Sequence, residues 1–284
     1  MKIGILILAH DNSEQLKSLV DSLKSDFSIF VHIDAKSDIS VDYFACEENV
    51  SIIKKHKVYW GDVNMIYAIL DLLKMAYNNA CDYFMLISGA DLPIMPCIRI
   101  AEEIEKNPKL NYVNYAELPR PDWSLNGGFS RMTLFWESIK NIKKPNLWNI
   151  ICASFRKLQS LAGFKRKLFP IKYYGGSTWF NISKEVAEFI INFTAENPAY
   201  LKSFRHTRNA DEIYFHTLIM NSEFTSKVIN DDKRYIDWAT GPEFPRVLGL
   251  EDYDKILGSN DFFARKLDTG EKSMALKKLL LSNM

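Results

Sequence analysis

Hydrophobic positions alternate between two patterns along the first hundred residues. Ile3 to Leu8 is an unbroken apolar run, the mark of a strand buried on both faces of a parallel sheet. Asn12, with Gln15 three residues on, marks a helix start, and Leu16, Leu19, Val20 and Leu23 follow on one helical face. Phe27 to Ile33 predicts a second strand and Ser51 to Ile53 a short third. Asp62 predicts the cap of a helix that carries Ile66, Ile69, Leu70, Leu73 and Tyr77 on one side. Tyr83 to Ile87 reads as a fourth strand and Ile98 to Lys106 as another helix. Such alternation implies right-handed crossovers, hence an α/β fold with a mainly parallel central sheet flanked by helices. Ligands of these sheets bind beyond the carboxyl ends of the strands, where the sequence places His10, Asp34 and Asp91.

The second half is less regular. A strand is predicted around Thr178 to Ile182, helices near 184–194 and 211–222, and a strand from Arg234 to Trp238. Residues 138–184 hold no Asp or Glu but many lysines and arginines, among them Lys140, Lys143, Lys144, Lys157 and Lys165. Within that stretch Leu147 to Phe164 has helical apolar spacing. A solvated basic helix is one reading. The other is a patch that touches an anionic membrane surface or an acidic acceptor. No repeat or linker interrupts the chain, so residues 1–284 read as a single domain.

Composition narrows the function. With 284 residues, 47% hydrophobic and 25% charged, the chain is an ordinary globular protein. Lys+Arg 36 against Asp+Glu 35 leaves a formal charge of +1, which argues against a nucleic-acid partner. Cys46, Cys81, Cys97 and Cys152 form no C-x-x-C pair, so they read as reduced thiols rather than a zinc site or disulfide framework. No apolar run approaches the roughly 18 residues of a membrane span, and the apolar start lacks a cleavage site. A soluble, cytoplasmic protein is expected, with peripheral contact at the inner face of the membrane if the basic stretch docks there.

Several residues carry candidate chemistry. An Asp beyond a parallel strand can accept hydrogen bonds from a ribose or a base. Gly175-Gly176 precede Trp179-Phe180, and glycines let backbone approach a ligand, or simply make a tight turn. Asp211-Glu212 open a helix; Asp211 or Asn209 can serve as its cap, while Glu212 suits a general base. A sheet that binds a nucleotide, with a sugar-sized second half, suggests a nucleotide-sugar glycosyltransferase. Metal-dependent enzymes of that kind carry D-x-D after a central strand. Here the D-x-D is Asp252-Tyr253-Asp254, after no apolar strand, and the strand-four end reads Gly89-Ala90-Asp91 with one carboxylate. A leaving diphosphate would then rely on Arg and Lys side chains.

The segments AHDNSEQLKSL, FVHIDAKSD, VYWGDVN, YFMLISGADLPI, YYGGSTWFNIS, DEIYFHTLIMNS, RYIDW and FFARKLD, in this order from residue 9 to 268, resemble glycosyltransferase family 14. That family holds the core-2/I-branching β-1,6-N-acetylglucosaminyltransferases and the peptide O-xylosyltransferases. The resemblance implies a GT-A-like fold, inversion of anomeric configuration, no metal and no other cofactor. Residues 1–117 would form the nucleotide-binding half and 118–284 the acceptor- and diphosphate-binding half. Nucleotide contacts would fall on Asp34, Tyr59 and Asp91, with His10 beside them. The base corresponds to Glu212 and the diphosphate-binding cations to Arg246 and Lys266. Trp238, Arg131 and Trp179 are the acceptor-side candidates. The expected partners are a UDP-sugar, most simply UDP-N-acetylglucosamine, and a glycan or lipid-linked saccharide. The xylosyltransferase branch carries an acidic residue where this chain has Thr178, although FFARKLD resembles that branch. The secretory anchor and paired cysteines of the animal enzymes are absent from these segments, which suggests a compact bacterial-type member. The rival class is a non-catalytic binder on the same fold; it would lack the base or the cations, and Glu212, Arg246 and Lys266 are all present.

Overall fold

The structure is a computed structural model and describes residues 1–44, 47–137, 147–241 and 244–282. Cys46, Lys140, Lys143 and Lys144 lie outside the described residues. In chain order the strands are β1 (Ile3–Ala9), β2 (Ser28–Ile33), β3 (Val50–Ile53), β4 (Tyr83–Ser88), β5 (Leu92–Pro93) and β6 (Asn111–Val113). They continue with β7 (Ala116–Glu117), β8 (Tyr174–Gly175), β9 (Phe180–Ser183), β10 (Val228–Ile229), β11 (Arg234–Ile236) and β12 (Phe263–Arg265). Seven of them form the central sheet in the order β10-β6-β9-β4-β1-β2-β3. Only β9 runs against its neighbours, pairing antiparallel with β4 and β6. The expected α/β fold, a mainly parallel sheet flanked by helices, is what the chain adopts.

The strand alternation splits the core cleanly. On β1, Leu6 and Leu8 face one hydrophobic cluster while Ile3, Ile5, Ile7 and Ala9 face the other. The first cluster packs under helix α2 (Asn64–Asn78) and the helices Lys184–Glu196 and Asp211–Met220. The second packs under α1 (Ser13–Leu23) and α3 (Cys97–Lys106). Each fully buried Leu or Ile in these layers contributes about 1.5–3 kcal/mol relative to exposure. Asn12 caps α1, accepting from the Gln15 N–H at 3.0 Å. Helix α2 starts two residues later than its signal, because the Asp62 carboxylate accepts from the Asn64 N–H at 3.0 Å. The predicted strand at 234–238 is shorter, ending at Ile236, where the chain turns to satisfy Asp237.

The strand order fixes where the site must be. The chain runs from β1 outward to β2 and β3, then returns to β4 on the other side of β1. The crevice at that reversal, beyond the carboxyl ends of β1, β2 and β4, is the ligand position of an open sheet. A small second sheet in the order β11-β12-β5 packs over this edge.

Candidate active site

Asp34 follows β2 and is buried, with its N–H on the Ala9 carbonyl at 2.8 Å. Its carboxylate accepts from the Lys36 N–H at 2.8 Å and pairs with the Lys36 ammonium at 2.5 Å. That ammonium also donates to the Val58 carbonyl and sits 4.7 Å from the centre of the Tyr59 ring. Lys36 therefore ties the end of β2 to the loop carrying Tyr59, so Asp34 and Tyr59 come together. A carboxylate offers about four lone-pair sites, and two bonds to Lys36 leave room for a donor on a ligand. His10, at the end of β1, is exposed and pairs with Asp11 at 3.4 Å.

Asp91, beyond β4, is 1% exposed and accepts from the Ser88 hydroxyl at 2.7 Å and the Ser88 N–H at 3.2 Å. Two guanidiniums from the second sheet compensate its charge: Arg265 at 2.9 Å and Arg234 at 3.8 Å. Arg234 is itself fully buried and donates to the Leu86 carbonyl at 2.7 Å. Arg265 also donates to the Ser88 hydroxyl and lies 4.6 Å over the ring of Trp179. Trp179 is buried beneath that arginine rather than open to an acceptor from the cleft side. A buried carboxylate in such a network is costly to strip of a partner, by about 3–5 kcal/mol.

Glu212 stands in the first turn of the helix Asp211–Met220. Its two oxygens are held separately: Oε2 by Arg131 at 2.6 Å, Oε1 by the Asn209 amide at 2.8 Å. Arg131 in turn lies flat on Trp123, 3.8 Å from the ring centre. The two glycines explain why that ring is there. A Cβ on Gly175 would lie 2.7 Å from Trp123, and one on Gly176 only 1.8 Å from the Asn114 carbonyl oxygen. The close approach that these glycines permit is therefore to the protein's own residues, not to a ligand. The Asn209 N–H donates to the Gly61 carbonyl at 2.8 Å, joining the Tyr59 loop to the start of the Glu212 helix.

Beside Glu212, the Asp211 carboxyl is buried and accepts from the Thr178 hydroxyl at 2.7 Å. Burial, reinforced by the neighbouring Glu212 charge, pushes it up to about 7. Asp211 is thus no helix cap; Ala210 holds that position without a side-chain bond.

Arg246 is surrounded by carboxylates: Asp252 at 2.5 Å, Asp237 at 2.8 Å and Glu251 at 3.4 Å. Asp252, then Asp237, raise its proton affinity above the ordinary arginine value, while bonds from the Thr240 hydroxyl, Arg246 and the Ala239 and Thr240 N–H groups hold Asp237 well below the usual carboxylate range. Asp252, half of the D-x-D, is buried, accepts the Gly249 N–H at 2.9 Å and so serves this loop. Lys266 is half-buried next to it in the fold, its carbonyl accepting from the Leu248 N–H at 2.9 Å. No ion pair engages the Lys266 ammonium among the described residues. Trp238 is 59% exposed beside Asp237. Among the described residues no group of three or more His, Cys, Asp or Glu side chains is placed to hold a metal ion. A cavity of about 720 Å³ lies away from all of these groups, between α1 and the helix Glu271–Leu281.

A carboxylate with separately fixed oxygens, a strand-end Asp paired to arginines and a lysine with no ion pair among the described residues are the groups the fold offers for chemistry. The model of the family described as "Branch: Core-2/I-Branching enzyme" matches residues 6–257. The chain belongs to the core-2/I-branching enzyme family.

Xylosyltransferase 1 of Canis lupus familiaris is 22% identical over 250 residues, 84% of this chain and 24% of that protein. Xylosyltransferase 2 of Homo sapiens is 23% identical over 250 residues, 84% of this chain and 27% of that protein. The beta-glucuronosyltransferase GlcAT14B of Arabidopsis thaliana is 33% identical over 103 residues, 35% of this chain and 24% of that protein. This family member thus spans about a quarter of the length of these relatives. Among solved structures, residues 1–349 of S. aureus TarS match with a TM-score of 0.31 and 14% identity, over 50% of this chain and 43% of that one.

The sequence offers Asn209 only as a helix cap, not as the amide that holds Glu212, and it gives no sign of Trp123 beneath Arg131. Asn209 is three residues before Glu212, a spacing that brings side chains together on a helix start. Lys36, two residues after Asp34, was equally within reach. Arg234 carried no local signal.

Proposed function

We propose that this core-2/I-branching family member is an inverting glycosyltransferase that moves a sugar, N-acetylglucosamine, from a UDP-sugar to a glycan hydroxyl without a metal. The observation that carries the reading is the Glu212 carboxylate, aimed by Arg131 and Asn209 at the start of its helix. In the transfer, the acceptor hydroxyl proton passes to a Glu212 oxygen while the hydroxyl oxygen attacks the anomeric carbon. The bond from that carbon to the diphosphate breaks on the opposite face, and UDP leaves with the electron pair. One carboxylate suffices, unlike the pair used for glycoside hydrolysis.

Asp34, Tyr59 and His10 would bind the nucleoside. Asp91 would act through Arg265, which it orients. Lys266 supplies the free cation for the leaving diphosphate, with Arg246 as the second; three of the Arg246 N–H groups are already committed to carboxylates. Trp238 offers an open ring to the acceptor sugar. In this reading preorganised cations do the work of a metal where charge develops.

Transfer from UDP-xylose is the second reading, favoured by the similarity to xylosyltransferases over most of the chain. Thr178 speaks against it, because an acidic side chain there would face the buried Asp211 carboxyl. The test is release of free UDP from a panel of UDP-sugars with chelator present. Turnover with UDP-N-acetylglucosamine supports the first reading, and preference for UDP-xylose replaces it. No turnover of any UDP-sugar returns the chain to a binding role.

A further inference from the structure

The helix Leu147–Leu161 turns its apolar side outward. Trp148, Ile150, Ile151, Phe155, Leu158 and Leu161 are exposed, from 47% for Trp148 to 77% for Leu161. Their spacing places them on one broad arc of a 3.6-residue helix. The opposite arc, facing the protein, carries polar Arg156 and Gln159 with Cys152. Gln159 locks the helix to the body: its carbonyl oxygen accepts from the Phe135 N–H at 2.9 Å, and its amide donates to the Phe135 carbonyl at 3.3 Å. Arg156 stacks on Trp136, 4.6 Å from the ring centre. A helix seated by its polar face, with its apolar face bare, is built to bury that face in something else.

We propose that this face seats the protein in the interface of an anionic lipid bilayer. Charge selects this occupant. Lys157, Lys165 and Lys167 are exposed around the apolar arc, and no carboxylate pairs with them among the described residues. The sequence from 138 to 184 contains no acid to offset them. A second copy of the chain meeting this face about a two-fold axis would bring the same lysines against each other. A bilayer interface supplies both apolar depth and phosphate headgroups, and Trp and Phe are favoured at that level. No helix among the described residues is long and apolar enough to cross a membrane, so the contact is peripheral.

The seat is also connected to the candidate site. Trp136, under Arg156, also has the Arg208 guanidinium 5.0 Å from its ring centre, and the Arg208 N–H donates to the Arg131 carbonyl at 3.0 Å. The docking helix is therefore joined through Trp136 and Arg208 to the arginine that holds Glu212. The inference stands whether or not Glu212 is the base.

The test is sedimentation of the full chain with phosphatidylglycerol–phosphatidylcholine vesicles and with pure phosphatidylcholine vesicles at low salt. Wild type should partition onto the anionic vesicles. The double variant Ile151→Glu with Leu158→Glu should lose partitioning by roughly 100-fold or more. Its melting temperature should be unchanged, since both side chains already face solvent. Lys157→Glu with Lys165→Glu should abolish the preference for anionic over neutral vesicles. Wild type that stays in the supernatant, or apolar-face variants that bind as well as wild type, would overturn the proposal. So would a lipid-free dimer, seen by light scattering, that the apolar-face variants disperse.

Discussion

The guanidinium of Arg131 holds one oxygen of Glu212 at 2.6 Å while lying flat on Trp123. The pair joins a short helix in the middle of the chain to the helix start 81 positions later. Because the ring beneath the arginine is packed against Gly175, the carboxylate is tied to the antiparallel β7–β8 pair.

The first prediction concerns the base. Glu212→Gln keeps the size of the side chain and a bond to Arg131 but cannot take a proton. Turnover should fall by roughly 100-fold or more with little change in UDP-sugar affinity, as read by steady-state kinetics and calorimetry. Near-normal turnover would move the role elsewhere.

The two proposed cations should separate. Lys266→Ala should lower turnover strongly and leave the melting temperature in place, because no ion pair among the described residues depends on it. Arg246→Ala should lower both, since it strands the buried Asp252 carboxylate at a cost of about 3 kcal/mol or more. Thermal melts alongside UDP-release rates distinguish them; equal stability of the two variants would contradict the carboxylate cage.

Asp211 sets a pH dependence with a definite sign. Its folded value, about 7, lies above the 3.8 of an ordinary aspartate, so the folded state holds its proton more tightly. Its contribution favours folding below about 4 and is lost as pH rises toward 7 and beyond. Asp211→Asn, which still accepts from Thr178, should be more stable than wild type at pH 8 and should flatten the stability profile between pH 4 and 8. Chemical denaturation across that range checks it.

Metal dependence is the fourth expectation. Activity should survive excess EDTA, because Lys266 and the arginines supply the countercharge. Complete loss in EDTA with rescue by manganese would refute the metal-free mechanism.

The sheet could be read from the chain because unbroken apolar runs such as Ile3 to Leu8 have few other uses, and α1 and α2 show one-sided periodicity. The helix Asp211–Met220 is buried almost all round, yet its acidic start still marked Glu212. The partners of Asp91 were hidden for a different reason. Arg234 and Arg265 lie 143 and 174 positions away along the chain, and only the second sheet brings them to the strand end. A charged residue late in a sequence gives no sign that it will be buried. Trp179, read as an acceptor platform, lies under Arg265 because β9 is drawn into the central sheet. The resemblance pointed to Arg246 without revealing the three carboxylates around it.

The position of β9 has a consequence for how the chain is made. β9 is the strand between β4 and β6, so until residues 180–183 have been synthesised β4 presents a bare edge, and β6 has no route into the sheet. An emerging polypeptide carries that open edge through some ninety residues of further translation, a template for pairing with other nascent chains. This late strand is thus also the fold's closure, and a chain stopped before it should demand chaperone protection that the finished protein does not need.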